Sequence, residues 1–179
     1  MKNKIYLGLG SNIGDRAENM LFALSLLQSS GFAEIKKISS FYKTSPVGPK
    51  QRDFYNMAAE AETSLSPYGL FSLIKHAEYL IGRKESKSAK RWGPRIIDID
   101  ILFFGKEIIK KDSFAARIAG NIVIPHKEIE NRLFVLIPLN EIAPDFVHPI
   151  LNRKINAILK KNRLTLGKQK VKIIKQQQM

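Results

Sequence analysis

The stretch R-W-G-P-R-I-I-D-I-D-I-L-F-F, Arg91 to Phe104, sets two carboxylates into an otherwise apolar run. Ile97, Ile99, Ile101, Leu102, Phe103 and Phe104 surround Asp98 and Asp100, and a run of that kind predicts a buried strand. Side chains alternate faces along a strand, so the two aspartates share one face, roughly 7 Å apart at a rise of about 3.3 Å per residue. Like charges held together on a partly dry surface repel and resist desolvation, so a compensating group is expected.

Working outward, Ile5–Leu9 reads as a first strand, and Gly10-Ser11-Asn12-Ile13-Gly14-Asp15 as a turn. A helix follows over Arg16–Gln28, with Ala17, Met20, Leu21, Leu24 and Leu27 on one face and Gly31 at its end. Glu34–Thr44 predicts a second strand and Phe54–Thr63 a third, separated by the Ser45-Pro46-Val47-Gly48-Pro49 break. Ser66-Pro67 is a helix start, Leu70, Leu73, Ile74, Ala77 and Ile81 form its apolar stripe, and Gly82 stops it. Arg83–Arg91 is polar and aperiodic and reads as an exposed loop before the aspartate strand. Asp112–Gly120 is a further loop, Ile122–Ile124 a short strand, Glu128–Leu136 a helix, and Leu139–Ile142 a second helical turn. The order strand, helix, strand, strand, helix, strand predicts an α+β fold, a split βαβ arrangement with a mostly antiparallel sheet.

The chain has 179 residues, 44% of them hydrophobic, enough for one domain with its own core. No apolar run approaches the roughly 18 residues of a membrane-spanning helix, and the N-terminus does not read as a signal peptide. There is no cysteine, which fits a cytoplasmic protein and excludes disulfides and thiolate metal sites. The net charge of +14 is uneven: residues 152–179 hold nine Lys or Arg and no acid, against 21 basic and 16 acidic residues before them. We therefore divide the chain into a domain over 1–151 and a basic, partly ordered C-terminal extension over 152–179.

The aspartates admit two readings. Either they are solvated and paired with Arg91 or Arg95, or they form a hard-cation site of the kind Mg²⁺ takes with substrate phosphates. Arg83, Lys84, Lys87, Lys90, Arg91 and Arg95 lie close in sequence, and carboxylates with an arginine-rich loop are parts of a phosphoryl-transfer site. The glycines of G-L-G-S-N-I-G have the wrong spacing for a dinucleotide fingerprint and read as a strand-to-helix turn; no P-loop occurs. Phe54, Asn56, Trp92 and Phe134 suit a flat heterocycle, with rings to stack on it and an amide to read its edge. His126 and Arg132 suit a phosphate clamp if their segment faces the aspartate strand. An RNA-binding module is the competing reading, prompted by a pI near 10.0. Aspartates on the best strand, where that module needs aromatic and basic side chains, argue against nucleic acid.

Together "LGLGSNIGDR", "SSFYKTSPVG", "DFYNMAAEAET", "RWGPRIIDIDILFFG" and "IPHKEIENRLFVLIPLNEIAP" resemble the 6-hydroxymethyl-7,8-dihydropterin pyrophosphokinase family of folate biosynthesis, from about Ile5 to Pro149. The resemblance implies a ferredoxin-like αβα sandwich and transfer of pyrophosphate from ATP to the pterin hydroxymethyl group, releasing AMP. It implies two Mg²⁺ ions on Asp98 and Asp100, and catalytic arginines at Arg83 and Arg95. For ATP it implies Glu78, Trp92, Ile101, His126, Lys127 and Arg132, with Lys127 standing where a tyrosine is common. For the pterin it implies Asn12, Thr44, Ser45, Val47, Phe54, Asn56, Trp92 and Phe134. By the same pattern Arg83–Arg91 is a lid over bound substrates, and the protein is a cytoplasmic monomer whose partners are its small-molecule substrates, with no membrane.

Overall fold

The computed structural model of the protein describes residues 2–46, 49–83, 93–110, 122–167 and 169–174. Strand β1 (Asn3–Ser11) lies between β4 (Phe54–Thr63) and β5 (Asp98–Phe104), antiparallel to both. Strands β2 (Ala33–Ile38) and β3 (Tyr42–Thr44) pair with the two ends of β4.

Two helices cover one face of this sheet. Helix α1 (Arg16–Ser29) is capped by Asp15, whose side chain accepts from the Ala17 and Glu18 N–H groups at 3.1 and 3.0 Å. Helix α2 (Pro67–Leu80) starts at the Ser66 cap with proline next to it, as its sequence predicts, and Gly82 at φ 100 turns the chain away. Met20, Ala23, Leu24 and Leu27 of α1 and Leu70, Ile74 and Ala77 of α2 pack with Ile5, Leu7, Leu9, Ile99 and Ile101 of the sheet. Leu21, expected on the buried stripe, is 44% exposed, and Ala23 takes the inward position instead.

The other face is covered by later elements. A single 3₁₀ turn (Ile129–Asn131) leads into α3 (Leu133–Ile142), and the short hairpin of β6 (Val147–His148) and β7 (Arg153–Lys154) leads into α4 (Ile155–Thr165). Leu133, Leu136, Leu139, Ile155, Ile158 and Leu159 pack here with Tyr6, Ala58, Leu102 and Phe103. The result is an antiparallel sheet between two helical layers.

Four expectations need correction. Glu34–Thr44 is not one strand: at Ser39 the backbone N–H donates to the Ala58 carbonyl while the hydroxyl accepts from the Ala58 N–H, and the chain bends before β3. Ile122–Ile124 makes only an isolated bridge, Ile124 to Ile109. The two helical pieces over 128–142 are a 3₁₀ turn and one helix that runs through Pro138. The charge break at residue 152 is also not a packing break. Ile155, Ile158 and Leu159 are core residues, and β8 (Val171–Ile173) extends the sheet beside β3, giving the order β5-β1-β4-β3-β8. The expected loop over 112–120 and the lid beyond Arg83, residues 84–91, lie outside the described residues.

Candidate active site

A cavity of about 450 Å³ opens on the sheet face carrying Asp98 and Asp100, between β1, β4, β5 and the segment around α3. Its floor exists because β1 carries glycine at alternate positions. Gly8 and Gly10 line it, and a Cβ on Gly10 would come within 3.1 Å of the Asn56 side-chain oxygen. Gly8 falls within the strand expected over Ile5–Leu9, whereas Gly10, expected in the turn, belongs to the strand as well. Their alternation with Leu7 and Leu9, both buried on the opposite face, is the signal that places them on a strand.

At one end stand the acids. Asp98 accepts from Arg83 Nη1 through Oδ1 at 2.7 Å and from Arg95 through Oδ2. Burial alone would raise the Asp98 carboxyl, but the charges of Arg95 and Arg83 outweigh it and hold Asp98 below the usual carboxylate range. Asp100 moves the other way: burial, then the neighbouring Asp98 charge, push its carboxyl up, against the pull of His126, Arg132 and Lys75. His126 Nε2 lies 3.8 Å from Asp100 Oδ2, while its Nδ1 accepts from the Glu128 N–H at 3.3 Å. Burial lowers the His126 pKa despite Asp100 beside it, so the imidazole is held toward its neutral form. Arg132 lies over the Phe134 ring, 5.7 Å from its centroid.

On the β3 and β4 side Thr44, Ser45, Phe54 and Asn56 line the cavity, as does Phe134. Asn56 donates to the Thr44 hydroxyl at 2.7 Å, which fixes the direction of its amide.

The cavity thus brings together Arg95, Asp98, Asp100, His126, Lys127, Arg132, Thr44, Ser45, Phe54, Asn56 and Phe134. Four expected residues, Asn12, Glu78, Arg83 and Ile101, stand outside its lining. Asn12 is buried behind it, its amide oxygen accepting from the Arg95 N–H at 2.7 Å and its amide nitrogen donating to Gln51 and to the Arg52 carbonyl. Glu78 is buried beside β5, where it accepts from the Ile99 N–H at 2.8 Å and from Arg83 and Lys75. Ile101 points into the core under α1 and α2. Arg83 reaches the acids from the end of α2. Val47 and Trp92 lie outside the described residues. Gln169, from the basic C-terminal segment, lines the cavity unannounced by any motif.

The donor set suits a hard cation. Asp98 and Asp100 supply only oxygen, and their mutual repulsion is what a divalent ion relieves. Among the described residues no cluster of three or more His, Cys, Asp or Glu is suited to a metal. Two carboxylates fit Mg²⁺ shared with substrate phosphates better than a cage built wholly of protein ligands. No described helix is long and apolar enough to cross a membrane.

Comparison with known proteins places the chain in a family. A profile of the family described as 7,8-dihydro-6-hydroxymethylpterin-pyrophosphokinase (HPPK) matches residues 6–144. The chain is 42% identical over 144 residues to the 2-amino-4-hydroxy-6-hydroxymethyldihydropteridine pyrophosphokinase of Bacillus subtilis, covering 80% of each chain. It is 40% identical over 161 residues to the enzyme of the same name from Aquifex aeolicus, covering 89% of this chain and 92% of that one. Among solved structures, an HPPK-DHPS of Plasmodium falciparum superposes with a TM-score of 0.72 at 18% identity, over 94% of this chain. The present chain spans about half of that longer protein, 47%, and the likeness bears on the fold alone. The chain belongs to the 7,8-dihydro-6-hydroxymethylpterin-pyrophosphokinase family.

Proposed function

We propose that the chain transfers pyrophosphate from ATP to the hydroxymethyl group of 6-hydroxymethyl-7,8-dihydropterin, a step of folate biosynthesis. Release of AMP requires that the hydroxyl oxygen bond to the β-phosphorus while the bridge to the α-phosphate breaks and the hydroxyl proton is lost. The observation that carries this reading is one cavity lined by the acids, His126 and Arg132 together with Thr44, Phe54, Asn56 and Phe134. That arrangement suits a triphosphate meeting a flat heterocycle.

In this reading Asp98 and Asp100 hold Mg²⁺, two ions by the family pattern. The metal when bound neutralises phosphate charge and orients the chain of phosphates. Arg83 and Arg95 then bear on the transferring group, where fixed cationic donors stabilise developing charge. His126, Lys127 and Arg132 hold the ATP phosphates, with Trp92 beside the nucleotide. Glu78 and Ile101 contribute through the backbone and side chains that they hold in place. Asn56 reads the polar edge of the pterin, Phe54 and Phe134 contact its faces, and Thr44, Ser45, Val47 and Trp92 complete the pocket. Asn12 serves it indirectly, by fixing Arg95 and the loop at Gln51 and Arg52. The strand order β5-β1-β4 followed by β2 and β3 supports the ferredoxin-like description of the domain. The absence of cysteine supports a cytoplasmic setting, and we read the working unit as a monomer.

The test is AMP release from ATP with and without 6-hydroxymethyl-7,8-dihydropterin, in Mg²⁺ and then in EDTA. AMP that needs both pterin and metal is the expected result. A folded sample that makes no pterin-dependent AMP overturns the proposal.

A further inference from the structure

Gln169 is the one cavity-lining residue contributed by the C-terminal basic segment among the described residues. Its side-chain amide grips the backbone on both sides of Arg132. Oε1 accepts from the Leu133 N–H at 2.9 Å, and Nε2 donates to the Asn131 carbonyl at 2.9 Å. Leu133 opens α3, and the first N–H groups of a helix have no partner within it. The residue in the capping position is Arg132, which makes no side-chain cap. Gln169 supplies that acceptor from a distant part of the chain. Asn162 of α4 adds a second tie, donating to the Glu130 carbonyl at 2.6 Å.

The short link between the 3₁₀ turn and α3 is therefore held from outside at three backbone positions, Glu130, Asn131 and Leu133, which bracket Arg132. The backbone of Arg132 is extended there, at φ −129 and ψ 100, with its carbonyl accepting from the Val135 and Leu136 N–H groups of α3. The segment carrying Gln169 is in turn anchored by β8, where Val171 pairs with Thr44 on the opposite wall of the cavity. Binding contributions of this kind depend on geometry held to a fraction of an ångström.

We propose that Gln169 is a positioning residue that sets the direction of the Arg132 guanidinium toward the phosphates of the nucleotide. The C-terminal basic segment is then part of the nucleotide site through a neutral amide, not through its charge. This rests on the function proposed above.

The experiment compares the full-length wild type with Gln169→Ala, Arg132→Ala and the double variant. It measures affinity for α,β-methylene-ATP in Mg²⁺ by calorimetry, together with kcat and both KM values. Gln169→Ala is expected to weaken the analogue and raise KM for ATP about five- to tenfold, with kcat and the pterin KM changed less than about twofold. In the Arg132→Ala background the same substitution should have almost no further effect, since residues acting as one unit are not additive. Asn162→Ala should show a smaller effect of the same kind and serves if Gln169→Ala folds poorly. Lys170→Ala, exposed on the same segment, should match wild type. Unchanged affinity in both Gln169→Ala and Asn162→Ala overturns the proposal. So does an equal loss with and without Arg132, or a fall in kcat and both substrate affinities together. A wild type that neither binds the analogue nor makes pterin-dependent AMP would instead count against the function itself.

Discussion

Arg83 Nη1 lies 2.7 Å from Asp98 Oδ1, while Arg95 takes the other oxygen of the same carboxylate. The group assigned to hold a cation is thus matched by two guanidiniums from different elements, one after α2 and one before β5. In the proposed reading a cation at Asp98 would compete with both guanidiniums for that carboxylate and so free them toward phosphate oxygens. Asp98→Asn removes the charge that organises both events. It is expected to lower pterin-dependent AMP formation by at least about a thousandfold, with the far-ultraviolet circular dichroism of the wild type retained. Activity within tenfold of wild type would refute the assignment of Asp98.

Glu78 stands behind this arrangement. Its carboxylate is 2% exposed and receives Arg83, Lys75 and the Ile99 N–H. Glu78→Gln keeps the size but takes one of two counter-charges from Arg83, which keeps Asp98, and the counter-charge from Lys75. Both cations are partly solvated, at 24% and 34% exposure, so the loss is expected at about 2 kcal/mol, below the value for a fully buried pair. Urea denaturation of the two proteins measures it. A loss under about 0.5 kcal/mol would mean that Arg83 finds Asp98 sufficient.

How much of this was legible in the sequence varies by residue, for physical reasons. The aspartate strand, the Asp15 turn and the Ser66-Pro67 start were readable because each depends on local pattern or local hydrogen bonding. The cavity walls around Thr44, Asn56, His126 and Arg132 were expected from motifs, and the fold brings them together. What escaped were features set by distant partners. The bend that splits β2 from β3 is made by reciprocal hydrogen bonds between Ser39 and Ala58. The packing of residues 155–167 and 169–174 follows from apolar positions scattered among lysines, which the charge count concealed. Gln169 sits between two lysines in the sequence, and only the approach of α3 gives its amide anything to hold.

The packing of α4 gives a direct check on that last correction. Ile158 is 3% exposed within the core on the α3 face. Ile158→Ala removes three buried carbons and is expected to cost about 2–4 kcal/mol, read from the shift in urea midpoint at constant slope. An exposed extension would tolerate the change, so a loss below about 0.5 kcal/mol would return residues 155–165 to that description.

His148 provides a pH-dependent test away from the acids. Its Nδ1 accepts from the Ile150 and Leu151 N–H groups at 3.2 and 3.3 Å, and its ring meets Phe103 edge-on at 5.2 Å. Burial lowers its pKa below the ordinary 6.5, against the opposing charge of Glu130. Between the folded value and 6.5 the unfolded chain therefore binds more protons than the folded one, and stability falls as pH drops through that window. Above about 6.5 the contribution is fully present. His148→Asn keeps an acceptor where Nδ1 stands but does not titrate. It should be less stable than wild type at pH 7.5 by about 1 kcal/mol, through the lost ring contact. The gap should narrow at pH 5, where the wild type has lost more. His126, whose pKa is also lowered by burial, is common to both proteins and cancels in the comparison. Urea midpoints at the two pH values decide the matter: a gap that stays constant or widens on acidification would show that His148 is not the group that titrates.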